Sequence, residues 1–150
     1  MGTLEASYSV EIAAPGERCY EIAADIEEAP KWQGTLESVE VLERDAKGRA
    51  LVVNTISDAS IKKVKSRLRF SYRFPDGIDW EQEEGEVKWL TGAWRFEDAG
   101  DGRTRATYEL RSDPGRILSM LLRGPVEGKV KELLTKGAAE GLKREAEAAG

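Results

Sequence analysis

The stretch PVEGKVKELLTKGAAEGLKREAEAA, residues 125–149, decides how this chain is read. Its larger apolar residues fall at Val126, Val130, Leu133, Leu134 and Leu142, steps of three and four that form one stripe on a helix. Lys129, Lys131, Glu132, Lys143 and Arg144 fall mostly off that stripe. Pro125 suits a first helical position, where a missing N–H costs nothing, and Gly124 permits a sharp approach to it. A helix over this stretch spans about 37 Å at 1.5 Å per residue. Apolar along one side only, it must lie on something broad. Gly137, Ala138 and Gly141 sit on or beside the stripe. They either bring the helix close to its support or leave space above it, so a tight core and a hollow pocket are both open.

Upstream, the chain supplies that support. Leu4, Ala6, Tyr8, Val10 and Ile12 alternate with polar residues, which predicts a half-buried strand. Pro15 then opens a helix with Glu17 in its first turn and Cys19, Ile22, Ala23 and Ile26 on its inner face. Pro30 ends or interrupts it, and residues 31–34 lead out through a short turn or second helix. Six more strands are expected at about 36–44, 49–58, 61–74, 78–86, 88–97 and 103–112. Turn residues at Lys47-Gly48, Pro75-Asp76-Gly77 and Gly100-Asp101-Gly102 separate several of them. After Asp113-Pro114-Gly115, a short apolar segment with Ile117, Met120 and Leu121 precedes the long helix.

The central hairpin is the most legible. Val64, Ser66, Leu68, Phe70, Tyr72 and Phe74 share one face, and Lys63, Lys65, Arg67, Arg69 and Arg73 share the other. A three-residue turn with Gly77 left-handed sets Phe74 opposite Ile78, Tyr72 opposite Trp80 and Phe70 opposite Gln82. On the outer face it sets Arg73 across from Asp79 and Arg69 across from Glu83, pairs worth a few tenths to about 1 kcal/mol each. The basic row is therefore read as a neutralised, solvated face and not as a phosphate-binding stripe. The whole order predicts one α+β domain over residues 1–150. A curved antiparallel sheet of about seven strands wraps around the long C-terminal helix, with one or two short helices after the first strand.

Composition excludes several functions. The formal charge is −5, which argues against nucleic acid as a partner. No stretch approaches the roughly twenty apolar residues of a membrane-spanning helix, so no integral membrane segment is expected. One cysteine permits no intramolecular disulfide, and Leu4–Ile12 is no signal segment, so a cytoplasmic location is expected. With no histidine in the sequence, His-dependent triads and zinc sites are ruled out. Phosphate loops and dinucleotide fingerprints are missing, and Asp98 to Asp101 lacks the spacing of a calcium loop. No metal and no cofactor are expected.

Phe70, Tyr72, Trp80, Trp94 and Tyr108 should point into one interior from adjacent strands, either as the wall of a pocket or as core. Trp32 leaves the first helix near the expected mouth, as a gate or as packing against the helix end. Gln82, Met120 and Leu134 complete the candidate ligand-binding set, with Tyr72, Tyr108, Trp80 and Gln82 choosing orientation. Ser66, Glu84 and either Thr55 or Asn54 are further polar residues of the inner parity. Glu84, Tyr72 and Tyr108 are the candidate proton carriers. A carboxylate at Glu84 facing an apolar interior would have a raised pKa, although Gly85 beside it permits a bulge that turns it to solvent. Cys19, on the apolar face of its helix, reads as inert packing.

Several motifs carry a family likeness. Asp25-Ile26-Glu27-Glu28-Ala29-Pro30-Lys31-Trp32 resembles the Asp-aliphatic-x-x-aromatic-Pro-x-aromatic run that closes the first helix in the START-like superfamily, whose fold is the helix grip. Trp80 followed by Gly85, Gly92-Ala93-Trp94, Thr104 to Leu110, and Leu142-Lys143 ahead of Glu145-Ala146-Glu147 resemble later parts of the same pattern. The likeness is greatest to the polyketide cyclase/dehydrase and coenzyme Q-binding branch, with Ala29 replacing the usual aromatic. The resemblance implies a cavity between sheet and helix for a hydrophobic or amphipathic small molecule of lipid, polyketide, quinone or isoprenoid type. It also implies two other roles the superfamily takes: a polyketide aromatase/cyclase or dehydratase, and a protein-interaction module.

Overall fold

The computed structural model describes residues 3–148; Ala149, the last residue of the expected helix, lies outside them. Strand β1 (Leu4–Ile12) leads into α1 (Gly16–Ala24) and a short 3₁₀ helix (Ile26–Lys31) that contains Pro30. Six strands follow: β2 (Leu36–Arg44), β3 (Ala50–Asp58), β4 (Lys63–Arg73), β5 (Gly77–Gly85), β6 (Trp89–Gly100) and β7 (Arg103–Asp113). A short α2 (Gly115–Leu121) precedes α3 (Pro125–Ala148). The strands form one antiparallel sheet in the order β1-β7-β6-β5-β4-β3-β2, curved around α3. One face of each strand carries the buried residues because side chains alternate with period two.

Arginines and acids pair across the outer face. Arg95 meets Glu109 at 3.0 Å, Arg103 meets Glu11 at 2.6 Å and Arg73 meets Asp79 at 2.6 Å. All are exposed, so each adds at most about 1 kcal/mol.

The β4–β5 hairpin corrects the expected register by two residues. Arg73 lies opposite Gly77, Tyr72 opposite Ile78 and Phe70 opposite Trp80. The turn is Phe74-Pro75-Asp76, closed by the Asp76 N–H donating to the Arg73 carbonyl at 2.7 Å. Gly77 is not left-handed. It sits in the strand because a β-carbon there would lie 2.5 Å from the Trp94 carbonyl oxygen of β6. Phe74, placed in the turn, is exposed. A slip of two preserves parity, so Phe70 and Trp80 keep their expected face. The expected ion pairs also survive, as diagonal contacts between Arg73 and Asp79 and between Arg69 and Glu83.

Helix α3 packs along β1, β7 and α1. Its buried face is made mostly of small residues: Ala138, Ala139, Gly141 and Ala146, with Val130 and Leu142. Leu133, expected on the stripe, is largely exposed. The glycines do two different things. A β-carbon at Gly141 would overlap the Trp32 carbonyl oxygen, whereas one at Gly137 would meet nothing within 4 Å. The C-terminal half of α3 is thus clamped to the body of the protein. Its last turns are also tied to β1, where Lys143 Nζ donates to the Glu11 carbonyl at 2.8 Å and Glu147 accepts the Ala13 N–H at 2.9 Å.

Candidate functional site

Under the N-terminal half of α3 the interior is hollow. The space measures about 180 Å³ and is lined chiefly by apolar side chains. The sheet register builds its wall. Phe70 and Trp80 stand opposite each other on β4 and β5, and Trp94 and Tyr108 on β6 and β7. Gly92 lies opposite Trp80, so the indole leans over it and meets Tyr108 at 5.6 Å between ring centres. Trp94 meets Tyr108 at 4.8 Å and Trp32 at 6.1 Å. These edge-to-face and tilted contacts make one continuous aromatic surface. The 3₁₀ helix contributes Ile26 and Ala29, the residue just after it is Trp32, and α3 closes the space with Val130 and Leu134. Ala59, Ile61 and Lys62 of the β3–β4 turn and Leu118 and Leu122 at α2 form the rim.

Polar groups in the wall are few. Gln33 Nε2 donates to the Tyr108 hydroxyl at 3.3 Å. Burial pushes the Tyr108 pKa up to about 12, against the opposing effect of that hydrogen bond. The hydroxyl is therefore protonated throughout the physiological range and can donate. Ser66 donates to Gln82 Oε1 at 2.6 Å, and Thr55 donates to the Ser66 carbonyl at 3.3 Å. Trp32 is buried, and its indole N–H finds no acceptor among the described residues. Its carbonyl abuts Gly141, which fixes the residue as a built-in part of the wall.

Of the expected ligand-binding residues, Trp32, Phe70, Trp80, Trp94, Tyr108 and Leu134 line the space together. Four expected site residues do not line it. Tyr72 lies outside the wall, its hydroxyl donating to the Ala50 carbonyl at 2.5 Å. Gln82 stands behind Ser66, where its Nε2 donates to the Val87 carbonyl at 2.9 Å and secures the β5–β6 connection. Met120 faces outward from α2, while Leu118 of the same helix turns in. Glu84 is exposed on the outer sheet face, 3.5 Å from Arg67. A bulge places Leu68 opposite Gln82 but Arg67 opposite Glu84, so Glu83 is the extra residue and Glu84 changes face. Gln33 was missed, and its position directly after Trp32 was the one local sign available.

A second recess, about 420 Å³, lies between α1 and the β2–β3 turn. It is an open polar notch, four of whose charged side chains pair: Arg49 with Glu21 at 2.7 Å and Arg44 with Glu27 at 2.8 Å. Among the described residues no His, Cys, Asp and Glu group could hold a metal ion. No helix among them is long and apolar enough to cross a membrane.

A curved antiparallel sheet gripping a long C-terminal helix is the architecture of START-like proteins, and solved structures share it. A START superfamily protein from Mycobacterium smegmatis superposes with a TM-score of 0.84 at 19% identity, covering 99% of this chain and 100% of its own. A Thermus thermophilus protein, TTHA0849, gives 0.82 at 26% identity, covering 97% and 99%. The Zhui aromatase/cyclase from a Streptomyces species gives 0.82 at 21%, covering 99% of each chain. No curated protein matches by sequence. The profile of the family described as polyketide cyclase/dehydrase and lipid transport matches residues 12–137, and the chain belongs to that family.

Proposed function

We propose that this protein binds a hydrophobic or amphipathic small molecule between the sheet and the N-terminal half of α3. The observation that carries the reading is the hollow itself, walled by Phe70, Trp80, Trp94, Tyr108 and Trp32 and capped by Val130 and Leu134. A guest that removes this apolar surface from water gains about 25 cal/mol per Å². Lys62, the one charged residue of the lining among the described residues, is exposed at the rim, where it can meet the polar end of an amphipathic guest. Native mass spectrometry of gently purified protein, followed by organic extraction, should reveal a bound apolar molecule. A bare chain that also takes up no apolar probe would overturn the reading.

A second reading, a polyketide cyclase or dehydratase, is favoured by Tyr108. Its protonated hydroxyl stands inside the aromatic wall, where it can deliver a proton to a keto oxygen of a folded chain. Glu84 has no part in it. Cyclisation of a poly-β-keto substrate that proceeds at the parent rate in Tyr108→Phe would remove this role. An interaction module would be favoured by an exposed apolar patch around Trp32 and Met120 with no internal cavity; Met120 is exposed, but Trp32 is buried and the interior is hollow.

A further inference from the structure

Helix α2 is apolar on two sides and covered on one. Leu118, and Leu122 just after the helix, turn toward the hollow. Ile117, Met120 and Leu121 share the opposite side at spacings of three and four, with Ile117 76% and Met120 58% exposed. A helix apolar all round is ordinarily buried, yet no other element packs extensively against this one. An exposed cluster of this kind marks a contact with something outside the chain.

The charge around α2 identifies the contact. Residues 115–131 hold four basic residues, Arg116, Arg123, Lys129 and Lys131, and one acid, Glu127, in a chain of formal charge −5. Glu127 is taken by Lys131 at 3.9 Å, and the Asp113 carboxylate just ahead of α2 accepts the Gly115 N–H at 2.9 Å. Arg116, Arg123 and Lys129 are exposed and belong to no ion pair among the described residues. Lys88 and Trp89, also exposed, stand at the same end of the sheet, where the Lys88 N–H donates to the Asp113 carbonyl at 2.8 Å. Aliphatic side chains flanked by free cations, with a tryptophan at the edge, complement an anionic lipid surface. A stable protein interface needs roughly 800 Å² per side, far more than three side chains on two turns supply.

We propose that α2 is a docking surface for an anionic lipid bilayer. Ile117, Met120 and Leu121 enter the headgroup region, and Arg116, Arg123 and Lys129 meet lipid phosphates. The contact is oriented, because the rest of this acidic chain is repelled by the same surface. It rests on α2 alone and does not require a filled hollow.

Co-sedimentation with vesicles of three parts phosphatidylcholine to one part phosphatidylglycerol tests this. The chain should bind them, bind pure phosphatidylcholine at least about tenfold more weakly, and come off in about 0.5 M salt. Arg116→Gln/Arg123→Gln should weaken binding about thirtyfold, the worth of two basic contacts. Ile117→Ser/Met120→Ser should weaken it at least about tenfold. Arg105→Gln/Arg144→Gln removes two exposed cations from the opposite end and should change nothing. Equal binding to both lipids, α2 variants that bind like the parent, or an equal loss in the Arg105/Arg144 pair would overturn the proposal. Self-association abolished by Ile117→Ser/Met120→Ser, with no vesicle binding, would give the face to a second copy and also overturn it. Uptake of 2-ethylnaphthalene, titrated calorimetrically without vesicles, reports the hollow separately. Its failure would overturn the pocket reading and leave the docking surface standing, and absent vesicle binding would do the reverse.

Discussion

Gly141 of α3 and Trp32, directly after the 3₁₀ helix, are in backbone contact: a β-carbon on the glycine would overlap the tryptophan's carbonyl oxygen. The long helix is thereby joined to the residue that forms the wall of the hollow. Alanine at position 141 would improve helix propensity by about 1 kcal/mol. The overlap is with main chain, though, and no rotamer relieves it, so the cost of about 1–3 kcal/mol for overpacking wins. Gly141→Ala should lower the unfolding free energy in urea by roughly 1–2 kcal/mol and shift the tryptophan fluorescence. A variant as stable as the parent would show that the helix is not held there.

Leu134 lies over the hollow and is half-buried. Leu134→Trp should direct its added volume into the empty space, leaving stability within about 1.5 kcal/mol of the parent. Binding of 2-ethylnaphthalene should weaken at least about tenfold. Unchanged affinity would place the probe elsewhere.

The two tyrosines should separate cleanly. Tyr72→Phe leaves the Ala50 carbonyl without its partner and should cost about 1–2 kcal/mol of stability with no change in probe affinity. Tyr108 acts on alkaline stability. Its pKa is raised from 10.0 to about 12, so the folded state holds a proton that the unfolded chain gives up. That contribution is whole below pH 10 and is lost as pH rises through about 12. In Tyr108→Phe the fall of the urea midpoint over that window should be shallower; an identical slope would contradict the burial of the hydroxyl.

Glu147 should matter at the acid end. The Lys143 ammonium and then the Ala13 N–H hold its carboxyl below the ordinary 4.5. Its contribution is present above 4.5 and disappears as pH falls through the lower folded value. Glu147→Gln should destabilise by a few tenths to about 1 kcal/mol at pH 7, since the group is partly exposed and screened. Near pH 3 the difference from the parent should shrink; a difference that grows there would reverse the assignment.

Cys19 is fully buried on α1, and burial pushes its thiol pKa up. Iodoacetamide should label it only as fast as the protein unfolds. Rapid labelling of the folded chain would refute its inert role.

The fold was legible wherever one period ran without interruption. Leu4–Ile12 begins and ends where alternation places it. The aromatic wall followed from parity alone, which is why a two-residue slip of the β4–β5 hairpin left Phe70 and Trp80 facing inward. Glu84 was misplaced because one extra residue, Glu83, reverses the parity after it, and alternation carries no sign of such an insertion. Met120 failed for another reason: α2 is seven residues long, too short for its sequence to fix which side turns inward. Gln33 and Tyr108 meet across 75 residues, a pairing that only the closed sheet creates.

The uneven seating of α3 divides tasks along a single rod. Its rear turns anchor the architecture through Gly141, Lys143 and Glu147, while its front turns, at Val130 and Leu134, merely roof a void. Substitutions in the roof can re-tailor the chamber to a bulkier or slimmer guest without loosening the anchor. The same scaffold can therefore change the size of its chamber through few mutations and keep its shape.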